Sequence, residues 1–223
     1  MTDLPAAVLF DMDGTLVDTE GLWLESEIHV MGALGTDWHH EDQVACLGGP
    51  LERVTAHMRR RSGTSLSDDV IGGMLLEQME SRLRQSPPEW RPGARELLFE
   101  CRALGVPTAL VSASWTRLIQ AVADGLAHDI GSDPFDVVVA GDDVRNSKPH
   151  PEPYELAAAR LGVATGACLA IEDSPTGVMS ARDAGCRVVA VPHLADVTHL
   201  GTAVATSLSG MGLAGLWSLA RQQ

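Results

Sequence analysis

No stretch of the 223-residue sequence approaches about 18 uninterrupted apolar residues, so no transmembrane helix is expected. The opening segment, MTDLPAAVLFDMD, has no basic patch ahead of its apolar run and leads straight into acids, unlike a secretory signal. Cysteine is sparse. Cys46, Cys101, Cys168 and Cys186 are far apart and form no CxxC pair, which favours free thiols in a cytoplasmic protein over a disulfide framework. Positive charge is short as well: 16 basic residues face 30 acidic ones, for a formal net charge of -14. A field of that sign argues against nucleic acid and anionic membrane as partners. The sequence contains no GxxxxGK[ST], no GxSxG and no HExxH, which removes the P-loop, the nucleophile elbow and the helical zinc site. Gly210 to Gly215 does fit GxGxxG, but no convincing strand precedes it. Only eight residues follow, too few for the helix, strand and acid of a dinucleotide fold. Adjacent His39 and His40 point apart on most backbones and read as surface residues.

What is present is an ordinary globular composition, 45% hydrophobic, long enough for one sizeable core or a core with a smaller module. Short apolar runs at Ala6 to Phe10, Pro107 to Val111, Phe135 to Ala140, Cys168 to Ile171 and Arg187 to Val191 read as strands. Helical patterns separate the later ones: a stretch opened by Arg91-Pro92-Gly93, then Trp115 to Ala127, Pro151 to Leu161 and Thr176 to Ala184. Strands this continuously apolar are covered on both faces. The expected fold is therefore α/β, a doubly wound, Rossmann-like parallel sheet. Between the first strand and residue 90 the texture changes to helical stripes: Gly21 to Met31, Pro50 to Arg61, and a long helix capped by Ser67-Asp68-Asp69. Roughly 70 residues without a strand are too many for a βα connection. A helical insertion over residues 18–89 is expected, with the core formed by 1–17 and 90–223. The tail after 197 is weakly patterned, and Met211 to Arg221 is a candidate final helix.

Ligands of open α/β sheets bind outside the carboxyl ends of the strands. The first strand ends in LFDMDGTL, where Asp11 and Asp13 can face the same side of extended backbone. Two carboxylates that close are costly unless a cation, a proton or a partner offsets them. Beyond the second strand lie Ser112, Ala113 and Ser114; beyond the third, Gly141-Asp142-Asp143 and then Lys148; beyond the fourth, Glu172-Asp173-Ser174. Each has a plain alternative: a helix cap for either serine, solvated surface for the lysine, turn residues for the acids. Taken together at one sheet edge, clustered carboxylates without thiols or a histidine group favour Mg2+. A cation, a lysine and free N–H groups around one point describe a phosphate site.

DMDGTLVDT at 11–19, the serine of ALVSAS, the lysine of KPHPEPY and IEDSPTGVMSARDAG at 171–185 appear in order across most of the chain. By these motifs the sequence resembles the haloacid dehalogenase-like hydrolase superfamily, within it the capped phosphatases and β-phosphoglucomutase-like enzymes. The resemblance implies Asp11 as nucleophile and Mg2+ ligand. It implies Asp13 as general acid/base, binding the metal through its backbone carbonyl. Ser112 and the N–H of Ala113 would hold the phosphate, with Lys148 offsetting charge. Asp173 would ligate Mg2+ directly and Glu172 through water. The implied activity is hydrolysis of a small phosphorylated metabolite, such as a sugar phosphate, through an aspartyl-phosphate, by a monomer whose helical cap closes over the site. Glu20, Trp23, Gly48 and Arg53 are candidates for meeting the substrate from the cap, by position alone. A receiver domain, a noncatalytic binding module and a dehalogenase fit less well, because of the insertion, the complete residue set and the metal cluster respectively. A sugar phosphomutase is the main alternative. The mutases nearest this pattern carry a histidine on the first cap helix where this chain has Trp23, and a basic side chain after the glycine matching Gly48 where it has Pro50 and Leu51.

Overall fold

The computed structural model describes residues 4–46 and 51–222. The chain separates into two compact units, Met1–Asp18 with Glu89–Gln223, and Thr19–Pro88. In the first, β1 (Ala7–Phe10), β4 (Thr108–Val111), β5 (Val137–Val139), β6 (Cys168–Glu172), β7 (Arg187–Ala190) and β8 (Ala203–Val204) form one sheet in the order β5-β4-β1-β6-β7-β8. Every neighbouring pair in it is parallel. All five expected strands are present. The sixth, β8, is a two-residue edge strand too short to carry an apolar pattern. A separate antiparallel ribbon pairs β2 (Val17–Asp18) with β3 (Glu89–Trp90), at the two points where the chain passes between units.

Alternation along the strands sends Ala7, Leu9, Ala109, Val111, Cys168 and Ala170 to one face. There they pack with Tyr154, Ala157 and Ala158 of α7 (Glu152–Leu161) and Val178 and Ala181 of α8 (Pro175–Asp183). The intervening Val8, Phe10, Leu110, Leu169 and Ile171 are equally buried. Helix α5 (Ala94–Ala103) packs against α9 (Leu213–Ala220), which in turn meets β7. With α6 (Thr116–Ile130) between β4 and β5, this is the doubly wound α/β core with its helical insertion. The GxGxxG look-alike has a structural use. Glu100 of α5 accepts from the N–H of Leu213 at 2.9 Å, so a carboxylate caps α9 and Gly212 leaves it room.

Among the described residues the second unit is entirely helical: α1 (Glu20–Ala33), α2 (His40–Cys46), α3 (Leu51–Ser62) and α4 (Asp68–Gln85). Its own core joins Val30, Met31, Trp38, Cys46, Val54, Met58, Ile71 and Leu75. As expected, Ser67 caps α4, its hydroxyl accepting from the N–H of Val70. Helix α2 was not anticipated; its seven residues hold only Val44, Ala45 and Cys46 as apolar side chains, too few to show a stripe. Asp42, buried in that helix, accepts from Arg61 at 2.8 Å and from the main-chain N–H of His39, and lies 2.8 Å from His57 Nε2.

A second buried acid in this unit yields a pH prediction. Glu27, 8% exposed, accepts from Trp38 Nε1 at 2.9 Å. Burial, reinforced by the charge of Glu20, lifts its carboxyl from 4.5 to about 7, against the opposing Trp38 bond. The folded pKa of this acid exceeds the unfolded one. The cost is therefore absent below the unfolded value, grows as pH rises through the interval, and is complete above the folded value. Glu27→Gln, whose amide oxygen still accepts from Trp38, should stabilise the protein by about 1–3 kcal/mol at pH 8 and by little at pH 4.5. Thermal melts of both proteins at the two pH values check this; an equal difference at both removes the explanation.

Candidate active site

Four of the parallel strands deliver polar groups to one edge. Asp11 follows β1, which lies in the middle of the sheet, and its N–H donates to Ile171 O at 3.0 Å, keeping it in register with β6. Gly14 then turns the chain at a φ of +84°, and a Cβ there would fall 2.2 Å from Asp173 Oδ2. Only glycine meets both demands. Past β4, Ser112 is buried, its N–H donating to Val139 O and its hydroxyl accepting from the N–H of Ser114 at 3.0 Å. Ala113 is exposed at the tip of this turn. The hydroxyl of Ser114 donates to Asp13 Oδ2 at 3.0 Å, tying the turn after β4 to the second aspartate.

Lys148 lies in the segment before α7 and its side chain is 4% exposed. It is the only lysine in the sequence. Its ammonium donates to Asp11 Oδ1 at 2.7 Å, Val111 O at 2.8 Å and Glu172 Oε1 at 2.6 Å, which uses all three N–H bonds. Glu172, at the end of β6, has no exposed surface. Besides Lys148 it accepts from the hydroxyl of Tyr154 at 2.7 Å, and its other oxygen accepts from Asp173 N, Ser174 N and Ser174 Oγ.

The charges of this cluster do not balance. Asp11, Glu172 and Asp173 present oxygens within 4.8 Å of one another. Burial first, then the charge of Glu172, raise the carboxyl of Asp11 to about 7 against the opposing Lys148. Burial followed by the charges of Asp11 and Glu172 raises that of Asp173 to about 9. Burial would lower the Lys148 ammonium, but Asp11 and Glu172 outweigh it and hold the pKa above the ordinary value. One ammonium is too little positive charge for three buried carboxylates. An all-oxygen group of this kind suits a hard divalent cation, which would favour the ionised carboxylates.

The structure thus brings together Asp11, Glu172, Asp173 and Lys148, with Asp13 held by Ser114. Asp142 and Asp143 have structural duties instead: the first accepts from Thr116 N and Oγ1 at the start of α6, the second from Ala140 N. Glu20 begins α1, Trp23 is half-buried in the same helix, and exposed Arg53 on α3 donates to Cys46 O at 3.0 Å. Gly48 lies outside the described residues. Arg59 and Arg61 are paired with Asp68 and Asp42 within their own unit. Sequence reasoning passed over Tyr154 as the last letter of KPHPEPY, and over Gly177, whose Cβ would lie 1.8 Å from Glu172 Oε1. For the tyrosine a compositional signal existed: it is the chain's only one, six residues beyond its only lysine.

A parallel α/β sheet carrying a buried aspartate, a lysine and an acidic pair at its carboxyl edge, with a helical insertion after the first strand, defines a class of hydrolase. The chain belongs to the haloacid dehalogenase-like hydrolases, whose family model matches residues 8–191. It is similar to CbbY of Rhodobacter capsulatus, 33% identical over 193 residues, covering 83% of this chain and 85% of that protein. It is also similar to hexitol phosphatase B of Escherichia coli K12, 32% identical over 188 residues, covering 83% of each. Among solved structures, CbbY of Rhodobacter sphaeroides in complex with xylulose-(1,5)bisphosphate superposes with a TM-score of 0.81 at 28% identity, over 96% of this chain and 99% of that one.

Proposed function

We propose that the protein is a Mg2+-dependent phosphatase of small phosphorylated metabolites, sugar phosphates among them, working through an aspartyl-phosphate on Asp11. The observation that carries this reading is the contact of Lys148 with Asp11 at 2.7 Å, beside a second aspartate held by a serine. A carboxylate nucleophile needs neutralised surroundings to approach a phosphate dianion. The relatives agree in kind: one is named a hexitol phosphatase, and another was crystallised with a phosphorylated sugar.

In this mechanism Ser112 and the N–H of Ala113 hold the phosphoryl oxygens while Lys148 offsets their charge. Asp11, Asp173 and the main-chain carbonyl of Asp13 would hold Mg2+, which when bound supplies further positive charge where carboxylate and phosphate meet. A carboxylate oxygen of Asp11 attacks phosphorus and the ester P–O bond breaks. Asp13, protonated, gives its proton to the departing alkoxide. Asp13 then takes a proton from water as the water oxygen attacks phosphorus. The Asp11–phosphorus bond breaks and inorganic phosphate leaves, with Asp11 ionised and Asp13 protonated again. Ser114 keeps the carboxyl of Asp13 beside the reacting atoms for both transfers.

Chelator-treated protein, assayed on a panel of sugar phosphates, nucleotides and glycolytic intermediates, is expected to release phosphate only after Mg2+ is restored. The same preparation given β-glucose 1-phosphate with a trace of glucose 1,6-bisphosphate separates water from a sugar hydroxyl as acceptor. Phosphate release should outpace formation of glucose 6-phosphate, since Trp23 cannot act as an acid or base at neutral pH. Isomerisation much faster than phosphate release would replace this reading with a phosphomutase.

A further inference from the structure

The only lysine and the only tyrosine of the sequence meet at one oxygen atom. Glu172 Oε1 accepts from Lys148 Nζ at 2.6 Å and from Tyr154 Oη at 2.7 Å, and the ammonium lies 5.1 Å from the centre of the tyrosine ring. Tyr154 and Glu172 are both without exposed surface. On the other oxygen, Asp173 N donates at 3.2 Å, Ser174 N at 3.4 Å and Ser174 Oγ at 3.1 Å. A carboxylate offers about four lone-pair directions, so these five donors hold both of its oxygens. Gly177 closes the remaining side, its own N–H bonded to Ser174 Oγ at 3.1 Å.

We propose that Tyr154 is a positioning residue for the reaction: its hydroxyl locks Glu172, and Glu172 in turn fixes Lys148 against Asp11. This rests on the phosphatase reading. The ring alone would fill the core beneath the sheet equally well as phenylalanine. What the hydroxyl adds is a second donor on Oε1, so that the carboxylate cannot rotate away from the lysine without leaving a buried phenol unsatisfied. Lys148 then keeps one position whether or not a phosphate is bound, and its contact with Asp11 does not have to be re-formed in each turnover.

Tyr154→Phe removes that donor and keeps the ring. Phosphate release by variant and parent is compared first. The variant is expected to lose about tenfold in kcat with KM within about twofold, because a lysine held less well acts on the transition state more than on the bound ester. The second readout needs no turnover. With a single lysine in the chain, acetic anhydride followed by mass spectrometry reports Lys148 directly, apart from the N-terminal amine. Labelling of Lys148 should rise several-fold in the variant, at a temperature where melts show both proteins folded. Trapping of the buried thiol of Cys101, measured alongside, should not change. Unchanged labelling, a rise in KM alone, or a parallel rise in Cys101 trapping would each overturn the proposal; the last would mean general loosening. A parent that turns over no phosphate ester sinks the phosphatase reading, and the labelling comparison then still decides whether Tyr154 holds the lysine.

Discussion

Asp11→Asn is expected to reduce phosphate release by at least about 10³-fold while the protein stays folded. An amide has no carboxylate oxygen with which to attack phosphorus. It also withdraws a negative ligand from the place a divalent cation would occupy. The fold should survive because asparagine is isosteric and its oxygen can still accept from Lys148, which keeps Glu172 and Val111 O as its other partners. Loss of one charge from three crowded carboxylates offsets part of the lost ion pair, so the melting temperature should move little. Release of phosphate from an aryl phosphate with Mg2+, on protein purified free of parent enzyme, measures the first effect. Retention of a tenth of the parent rate would remove Asp11 from its role.

The second large effect has a sign that local propensity alone would reverse. Gly177 lies in the first turn of α8, and alanine in a helix is ordinarily worth about 1 kcal/mol over glycine. Here a Cβ would stand 1.8 Å from Glu172 Oε1 and 2.0 Å from Oε2, so the carboxylate must move. Crowding a packed interior costs about 1–3 kcal/mol. Disrupting a buried ion pair costs about 3–5 kcal/mol more. The clash therefore wins. Gly177→Ala should destabilise the core by several kcal/mol and lower kcat by about 10²-fold or more through displacement of Lys148, by analogy with other shifts of about 1 Å near a reacting centre. Denaturant titration and steady-state kinetics read the two effects. A variant as stable and active as the parent would mean that the carboxylate has room the geometry does not show.

Much of the candidate site's residue cluster was legible in the sequence. Asp11, Asp13, Ser112, Glu172 and Asp173 stand at or just beyond strand ends, while Lys148 lies further on, between β5 and α7; strands announce themselves as short apolar runs whose ends sequence can locate. The parallel sheet was legible for the same reason. Burial on both faces demands unbroken apolar strands, whereas a half-exposed sheet would alternate. Where no pattern could form, the reading failed: β8 and the β2–β3 ribbon have two residues per strand, and α2 has seven.

By itself, then, the sequence determined the sheet, the helical insertion and which residue types reach the carboxyl edge of the sheet, because these follow from local periodicity and from chain order. Only the tertiary structure decided who touches whom there. That Ser114, not Ser112, donates to Asp13, and that Tyr154 and Lys148 share one oxygen of Glu172, depends on residues far apart in sequence. Such contacts are made by closing long loops and packing α7 against the sheet, and no local pattern encodes a hydrogen bond between groups that only folding brings within 3 Å of each other.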